Sequence, residues 1–246
     1  MLEEFRLDGN VAIIASRGFS WIKELALSLN QAGARVTVAT SDREKINEIT
    51  AALPGQDVLC IPTDLNNSRE IESMVTRTVS QFGKVDILVN GLNLELWKPL
   101  LDMTEKEWQG VLQANLTAAF LCSRAAGKYM VAQKAGSIIN IVSGLAERGI
   151  PHGTAYCASM GAVLAFTKAL ALEWAPQNVR VNALGVGWAE SQGVGDEKDL
   201  LARYIPARRR ARAGDITPLV VFLASQASSF MNGSFYIADG GLMARA

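Results

Sequence analysis

Val11-Ala12-Ile13-Ile14-Ala15-Ser16-Arg17-Gly18-Phe19-Ser20-Trp21-Ile22 begins as a short apolar run, breaks at a turn and continues into an amphipathic segment. A run that is apolar at every position suits a strand of a parallel sheet covered on both faces, because neither side of the pleat then meets water. The same signal recurs in Val85-Asp86-Ile87-Leu88-Val89 and in Ser137-Ile138-Ile139-Asn140-Ile141-Val142-Ser143.

Working outward, strands are expected near 11–15, 35–39, 57–61, 85–90, 136–142, 178–184 and 234–237. Helices are expected near 20–32, 42–52, 68–82, 104–133, 154–175 and 216–225. Regular alternation of strand and helix points to an α/β fold, a doubly wound, Rossmann-like parallel sheet of seven strands. No linker, repeat or low-complexity stretch divides the chain, so residues 1–246 are expected to form a single domain.

Composition narrows the function classes. The chain has 24 basic and 24 acidic side chains, and this balance argues against general binding to nucleic acid or an anionic membrane. Cys60, Cys122 and Cys157 are scattered without pairing or metal spacing and read as reduced, buried thiols. With His152 as the lone histidine, a histidine-based metal site or triad is not expected. No signal-type stretch opens the chain and no apolar run approaches membrane-spanning length, so a cytoplasmic location is expected.

Three places carry candidate chemistry. A dinucleotide would lay its pyrophosphate on the first strand-turn-helix, where a glycine-rich turn lets the backbone come close. Ser143 ends a buried strand, at the carboxyl side where open α/β sheets bind ligands. Tyr156 and the residue four places on share one helix face. A tyrosine acting as proton donor usually has a cation there to lower a phenol pKa of about 10. This chain has Met160, which reads as core filling on an Ala-rich helix.

The whole pattern resembles the short-chain dehydrogenase/reductase family. Leu7-Asp8-Gly9-Asn10-Val11-Ala12 looks like that family's approach to its first strand, and Phe222-Leu223-Ala224-Ser225 and Asp239-Gly240-Gly241 match its closing landmarks. Asn115, Ser143 and Tyr156 stand where the family has its catalytic Asn, Ser and Tyr. The resemblance implies that Ser143 polarises a substrate carbonyl, that Tyr156 protonates it, and that the Asn115 carbonyl holds a relay water. A polar residue at 115 could equally bridge a helix irregularity. The family's lysine, four places after the tyrosine, is Met160 here.

Other departures surround it. Aligned without gaps, the glycines of the family's TGxxxGxG fall on Ser16, Ser20 and Ile22, with Gly18 between them. A shifted register would match Ala15-Ser16-Arg17-Gly18 to the common A-S-R-G, but needs compensating gaps. In the ungapped register Trp21 and Ile22 are expected to crowd the phosphate turn, unless Ser hydroxyls and the helix N-terminus still bind phosphate. Thr40 and Ser41, at the end of the second strand, give no clear choice between NAD and NADP, and Asp42-Arg43 reads as a helix cap. Asp64 stands near the family's adenine side but could equally form a helix-start turn. The family's N-N-A-G is Asn90-Gly91-Leu92-Asn93, keeping Asn90 alone; its P-G is Val186-Gly187, and its later Thr is Ser191. A loop from Ser191 to Pro206 is expected to cover the substrate. Arg208, Arg209, Arg210 and Arg212 read as a solvated face or, alternatively, a phosphate contact.

Taken together, the departures lead to the expectation of a non-catalytic subunit that binds no dinucleotide itself. It would partner an active family member in a heterotetramer that uses NAD or NADP, with an acyl-CoA as one candidate substrate, as inactive subunits of hydroxyacyl-CoA dehydrogenases do; a homotetramer is the other assembly. Contacts are expected through the two long helices, with Ala118-Ala119, Ala125-Ala126 and Ala162 as close-packing surfaces, and through the C-terminal strand. One alternative is an active NAD(P)-dependent oxidoreductase of small-molecule ketones or alcohols with divergent cofactor binding. Another is a cofactor-independent lyase or dehalogenase.

Overall fold

A computed structural model describes residues 2–53, 55, 57–190 and 200–244. All seven expected strands form: β1 Val11–Arg17, β2 Arg35–Thr40, β3 Val58–Pro62, β4 Ile87–Leu92, β5 Gly136–Ser143, β6 Val179–Val186 and β7 Phe235–Ala238. They pair in parallel in the order β3-β2-β1-β4-β5-β6-β7. The order reverses between β1 and β4, and a crevice opens at such a switch point beyond the strands' carboxyl ends.

The sheet is covered on both sides because its strands are apolar on both sides. Within β1, Ile13 and Ala15 join one core cluster, and Ala12 and Ile14 join the other. Burying such an Ile side chain contributes roughly 1.5–3 kcal/mol. The helices are α1 Ile22–Gln31, α2 Arg43–Ala52, α3 Ser68–Phe82, α4 Glu105–Leu112, α5 Ala118–Gln133, α6 Thr154–Trp174, α7 Leu200–Tyr204 and α8 Ala213–Ala224. Side chains from α3, α5 and α6 fill the first cluster, and those from α1 and α8 the second. As expected, Asp42 caps α2, accepting from the Lys45 N–H at 3.1 Å.

Several expectations change. The helix expected over 104–133 is two helices joined by a π turn, Gln113–Thr117. Ala118, Ala119, Ala125 and Ala126 are buried in the chain's own core, so they offer no surface to a partner. Of the cysteines only Cys122 is buried; Cys60 and Cys157 are half-buried. The arginine run is tied back to the chain: Arg209 grips the Asp215 carboxylate at 2.6 and 2.8 Å, Arg212 meets Glu190, and Arg210 donates to the Ala189 carbonyl. Residues 154–177 are long and apolar enough to cross a membrane, with a mean hydropathy of 1.5. They are apolar because α6 is a core helix, packed against β5 and β6. The expected covering loop begins at Ser191, and its residues 191–199 lie outside the described residues.

Candidate active site

Buried polar pairs set the positions of the elements that carry the site. Asn140 on β5 accepts from Asn90 on β4 at 2.8 Å and donates to Thr167 Oγ1 on α6 at 2.8 Å. All three side chains are buried, so each bond replaces water the interior cannot supply. This ties the helix bearing Tyr156 to the strand bearing Ser143. Asn90 is therefore a structural residue beneath the sheet and does not line the cleft.

Asn115 supplies a second tie. It is buried in the π turn, which gives its side chain three bonds. Its Oδ1 accepts from the Leu94 N–H at 2.8 Å, while Nδ2 donates to the Leu94 carbonyl at 3.0 Å and to Ser159 Oγ at 2.9 Å. Ser159 Oγ in turn donates to the Tyr156 carbonyl at 2.7 Å. Both open readings of Asn115 bear on this place, and the irregular helix is present.

The cleft itself lies over the carboxyl ends of β1, β4, β5 and β6 and is open to solvent. Gly18, Ser20, Ser143 and Tyr156 line it, together with Phe19, Trp21, Asn93, Glu95, Trp97 and Trp188. Ser16, Ile22, Asp64, Asn90, Asn115 and Met160 do not. Met160 is 1% exposed and packs in the core with Tyr156, as the packing reading of the sequence had it.

Tyr156 is 4% exposed, and its hydroxyl donates to Asn93 Oδ1 at 2.7 Å. Burial pushes its phenol pKa up; the Ser143 hydroxyl, hydrogen-bonded to it, pulls the other way, and the Glu95 carboxylate and Cys157 add to the rise. The Trp97 ring lies 5.5 Å from the Tyr156 ring, and Trp97 Nε1 donates to Glu95 Oε2 at 3.0 Å. Asn93, Glu95 and Trp97 were not singled out as site residues. The available signal was a polar and aromatic loop directly after a buried strand's carboxyl end, a usual place for ligand contacts.

A dinucleotide's phosphates fit the first turn. Trp21, the N-cap of α1, makes no side-chain capping bond, leaving that helix end free for an anion. Gly18 has φ +69°, and a Cβ there would come 2.3 Å from the Asn93 carbonyl oxygen. Of the three side chains in glycine positions, Ile22 is 1% exposed and points into the core, Ser16 is buried beside Gly91 in the strand pairing, and Ser20 faces the cleft. The expected crowding by Ile22 does not arise; Trp21 does line the cleft, stacked edge-on against Phe19. Asp64 holds Arg17 at 3.0 Å and the Asn66 N–H at 2.9 Å, the helix-start turn among its two readings.

Comparison with known proteins gives a consistent picture. A family model described as Enoyl-(Acyl carrier protein) reductase matches residues 15–243. The 2-dehydro-3-deoxy-D-gluconate 5-dehydrogenase of Escherichia coli (strain K12) is 35% identical over the full length of both chains. The D-threitol dehydrogenase of Mycolicibacterium smegmatis (strain ATCC 700084 / mc(2)155) is 30% identical, covering 97% of this chain and 94% of its own. A crystal structure of a gluconate 5-dehydrogenase from Burkholderia cenocepacia J2315, in complex with NADP and tartrate, superposes with a TM-score of 0.90 at 29% identity, covering 100% of this chain and 99% of the other.

These full-length matches to dehydrogenases overturn the expectation of a non-catalytic subunit of a hetero-oligomer. The physical reason lies in where the departures point. Ile22 and Met160 face the core and Ser16 the sheet, so the cleft and its Ser143–Tyr156 pair stay open.

Proposed function

The chain belongs to the short-chain dehydrogenase/reductase family, and from that premise we propose that it is an active NAD(P)-dependent oxidoreductase interconverting a ketone and an alcohol on a small, neutral, hydroxylated compound. The observation that carries this reading is the meeting of Ser143 and Tyr156 in an open cleft at the switch point of the sheet. When bound, a nicotinamide dinucleotide supplies or takes up the hydride. The chain's own residues do the rest. Ser143 Oγ orients the carbonyl oxygen, and the Tyr156 hydroxyl gives it a proton in reduction or takes one in oxidation. The free end of α1 and Ser20 hold the phosphates. Thr40 and Ser41, at the end of β2, carry neither a carboxylate for the ribose hydroxyls nor a cation for a 2′-phosphate, so both dinucleotides remain candidates.

Neutrality of the substrate is argued from the lining. Among the described residues, Glu95 is the charged side chain in the cleft, and it disfavours an anionic sugar acid. Such a substrate would differ from that named for the gluconate dehydrogenases and lie closer to D-threitol. The chain alone should bind NAD or NADP in calorimetry and reduce dihydroxyacetone or erythrulose faster than 5-keto-D-gluconate. No binding of either dinucleotide and no turnover of any of the three would refute the reading. A homo-oligomer goes with it, supported by the exposed Phe120 on α5, Leu172 on α6 and Ile237 on β7, and light scattering tests that mass.

A further inference from the structure

Between Tyr156 and the solvent runs an ordered chain of polar groups. Asn93 Nδ2 donates to Glu95 Oε1 at 3.1 Å, and Tyr156 Oη donates to Asn93 Oδ1 at 2.7 Å. The carboxylate accepts only, so it turns the amide's NH₂ towards itself and leaves the amide oxygen facing the phenol. An amide oxygen can accept from a phenol but gives nothing to a phenolate. Glu95 is fixed in turn by Trp97, whose Nε1 donates to its other oxygen at 3.0 Å. Gly18 fits flush against the Asn93 carbonyl, and the Asn93 N–H donates to the Arg17 carbonyl at 2.8 Å, so the amide cannot drift.

We infer that Asn93 and Glu95 are positioning residues that hold Tyr156 in its protonated, hydrogen-bond-donating form, and so displace to higher pH the range in which it can act as a base. The inference rests on the oxidoreductase reading above. In reduction the proton leaves Tyr156 Oη for the substrate oxygen, and the phenolate regains one from water. In oxidation the phenolate takes the proton back from the alcohol, so the pH at which oxidation rises follows the titration of Tyr156. Other groups around the phenol act the same way or carry no charge. Cys157 on its own helix also raises it, Ser143 opposes, and Gly18–Trp21 and Val186–Ala189 contribute no charged side chain to the cleft. Arg17 is held by Asp64, and Lys98 by Glu107 at 2.8 Å.

The test is an NMR titration of the protein labelled with ¹³Cζ-tyrosine, in which Tyr156→Phe assigns one of four tyrosine signals. The wild-type Tyr156 signal should stay at its neutral position to about pH 11, beyond the ordinary tyrosine range. Its midpoint should fall by about one pH unit in Asn93→Ala, and by a smaller step in the same direction in Glu95→Gln. In parallel, the alkaline rise of alcohol oxidation should set in at lower pH in Glu95→Gln than in wild type, while Glu95→Asp stays near wild type. Unchanged Tyr156 titration in both Asn93→Ala and Glu95→Gln overturns the inference even if the enzyme is active. Shifted titration without turnover of any substrate supports the inference and rejects the oxidoreductase reading instead.

Discussion

Asn115 grips both backbone polar groups of Leu94, accepting from its N–H at 2.8 Å and donating to its carbonyl at 3.0 Å. Leu94 lies between Asn93 and Glu95, so this one side chain sets the loop that meets the Tyr156 hydroxyl. Replacement by alanine leaves the Leu94 backbone groups and Ser159 without that partner. Asn115→Ala should lower thermal stability by about 1–3 kcal/mol, the cost of unsatisfied buried groups. It should also lower kcat/KM by roughly 100-fold, as expected for displacement of a catalytic group by about 1 Å. Thermal unfolding and steady-state reduction measure the two effects.

Met160 is a packing residue, and its variants should show that. Met160→Leu conserves volume and should cost less than about 1.5 kcal/mol with activity retained. Met160→Lys brings a charge with no partner into a site 1% exposed and should cost roughly 3 kcal/mol without improving turnover. Denaturant melts of the two variants, with reduction assays alongside, check this. A faster Met160→Lys enzyme would show that a cation at this place still serves the tyrosine.

Gly18 takes a backbone conformation that a side chain resists. At φ +69°, an alanine costs about 1–2 kcal/mol from conformation alone. Its Cβ would also push on the Asn93 carbonyl, 2.3 Å away. Gly18→Ala should therefore destabilise the fold and weaken dinucleotide binding at least about tenfold, a loss of ~1.4 kcal/mol. Calorimetric titration with NADP reads the affinity.

Glu107 should make stability depend on acid. The Lys98 ammonium, with the Thr104 N–H and hydroxyl of the capping box, holds its carboxyl at about 2. A folded-state pKa below the unfolded value means that the unfolded chain takes up the proton first as pH falls. The contribution is present above the unfolded value of 4.5 and is lost as pH drops towards 2. Urea midpoints of wild type and Glu107→Gln should differ at pH 7 and converge near pH 2.

The family and the sheet were legible because they depend on features that repeat. Seven apolar runs, the first six each with a following helical segment, leave few arrangements other than a covered parallel sheet. The places of Ser143 and Tyr156 follow from strand ends and helix faces. The π turn at Gln113–Thr117 was legible only as one of two readings of Asn115, since one inserted residue in a helix alters no periodicity long enough to read.

What sequence alone determined is which residues stand at the site's positions and which glycines and lysine are missing. Direction was decided only by the tertiary structure. Ile22 and Met160 occupy positions where glycine and lysine serve a cofactor, yet both turn into the core, because burying an apolar side chain stabilises more than displaying it in a wet cleft. Asn93 reads as a lost glycine in the sequence; in three dimensions it is the acceptor for the Tyr156 hydroxyl, 63 residues away along the chain. A contact of that range depends on how β4 and α6 pack, and no local pattern encodes it.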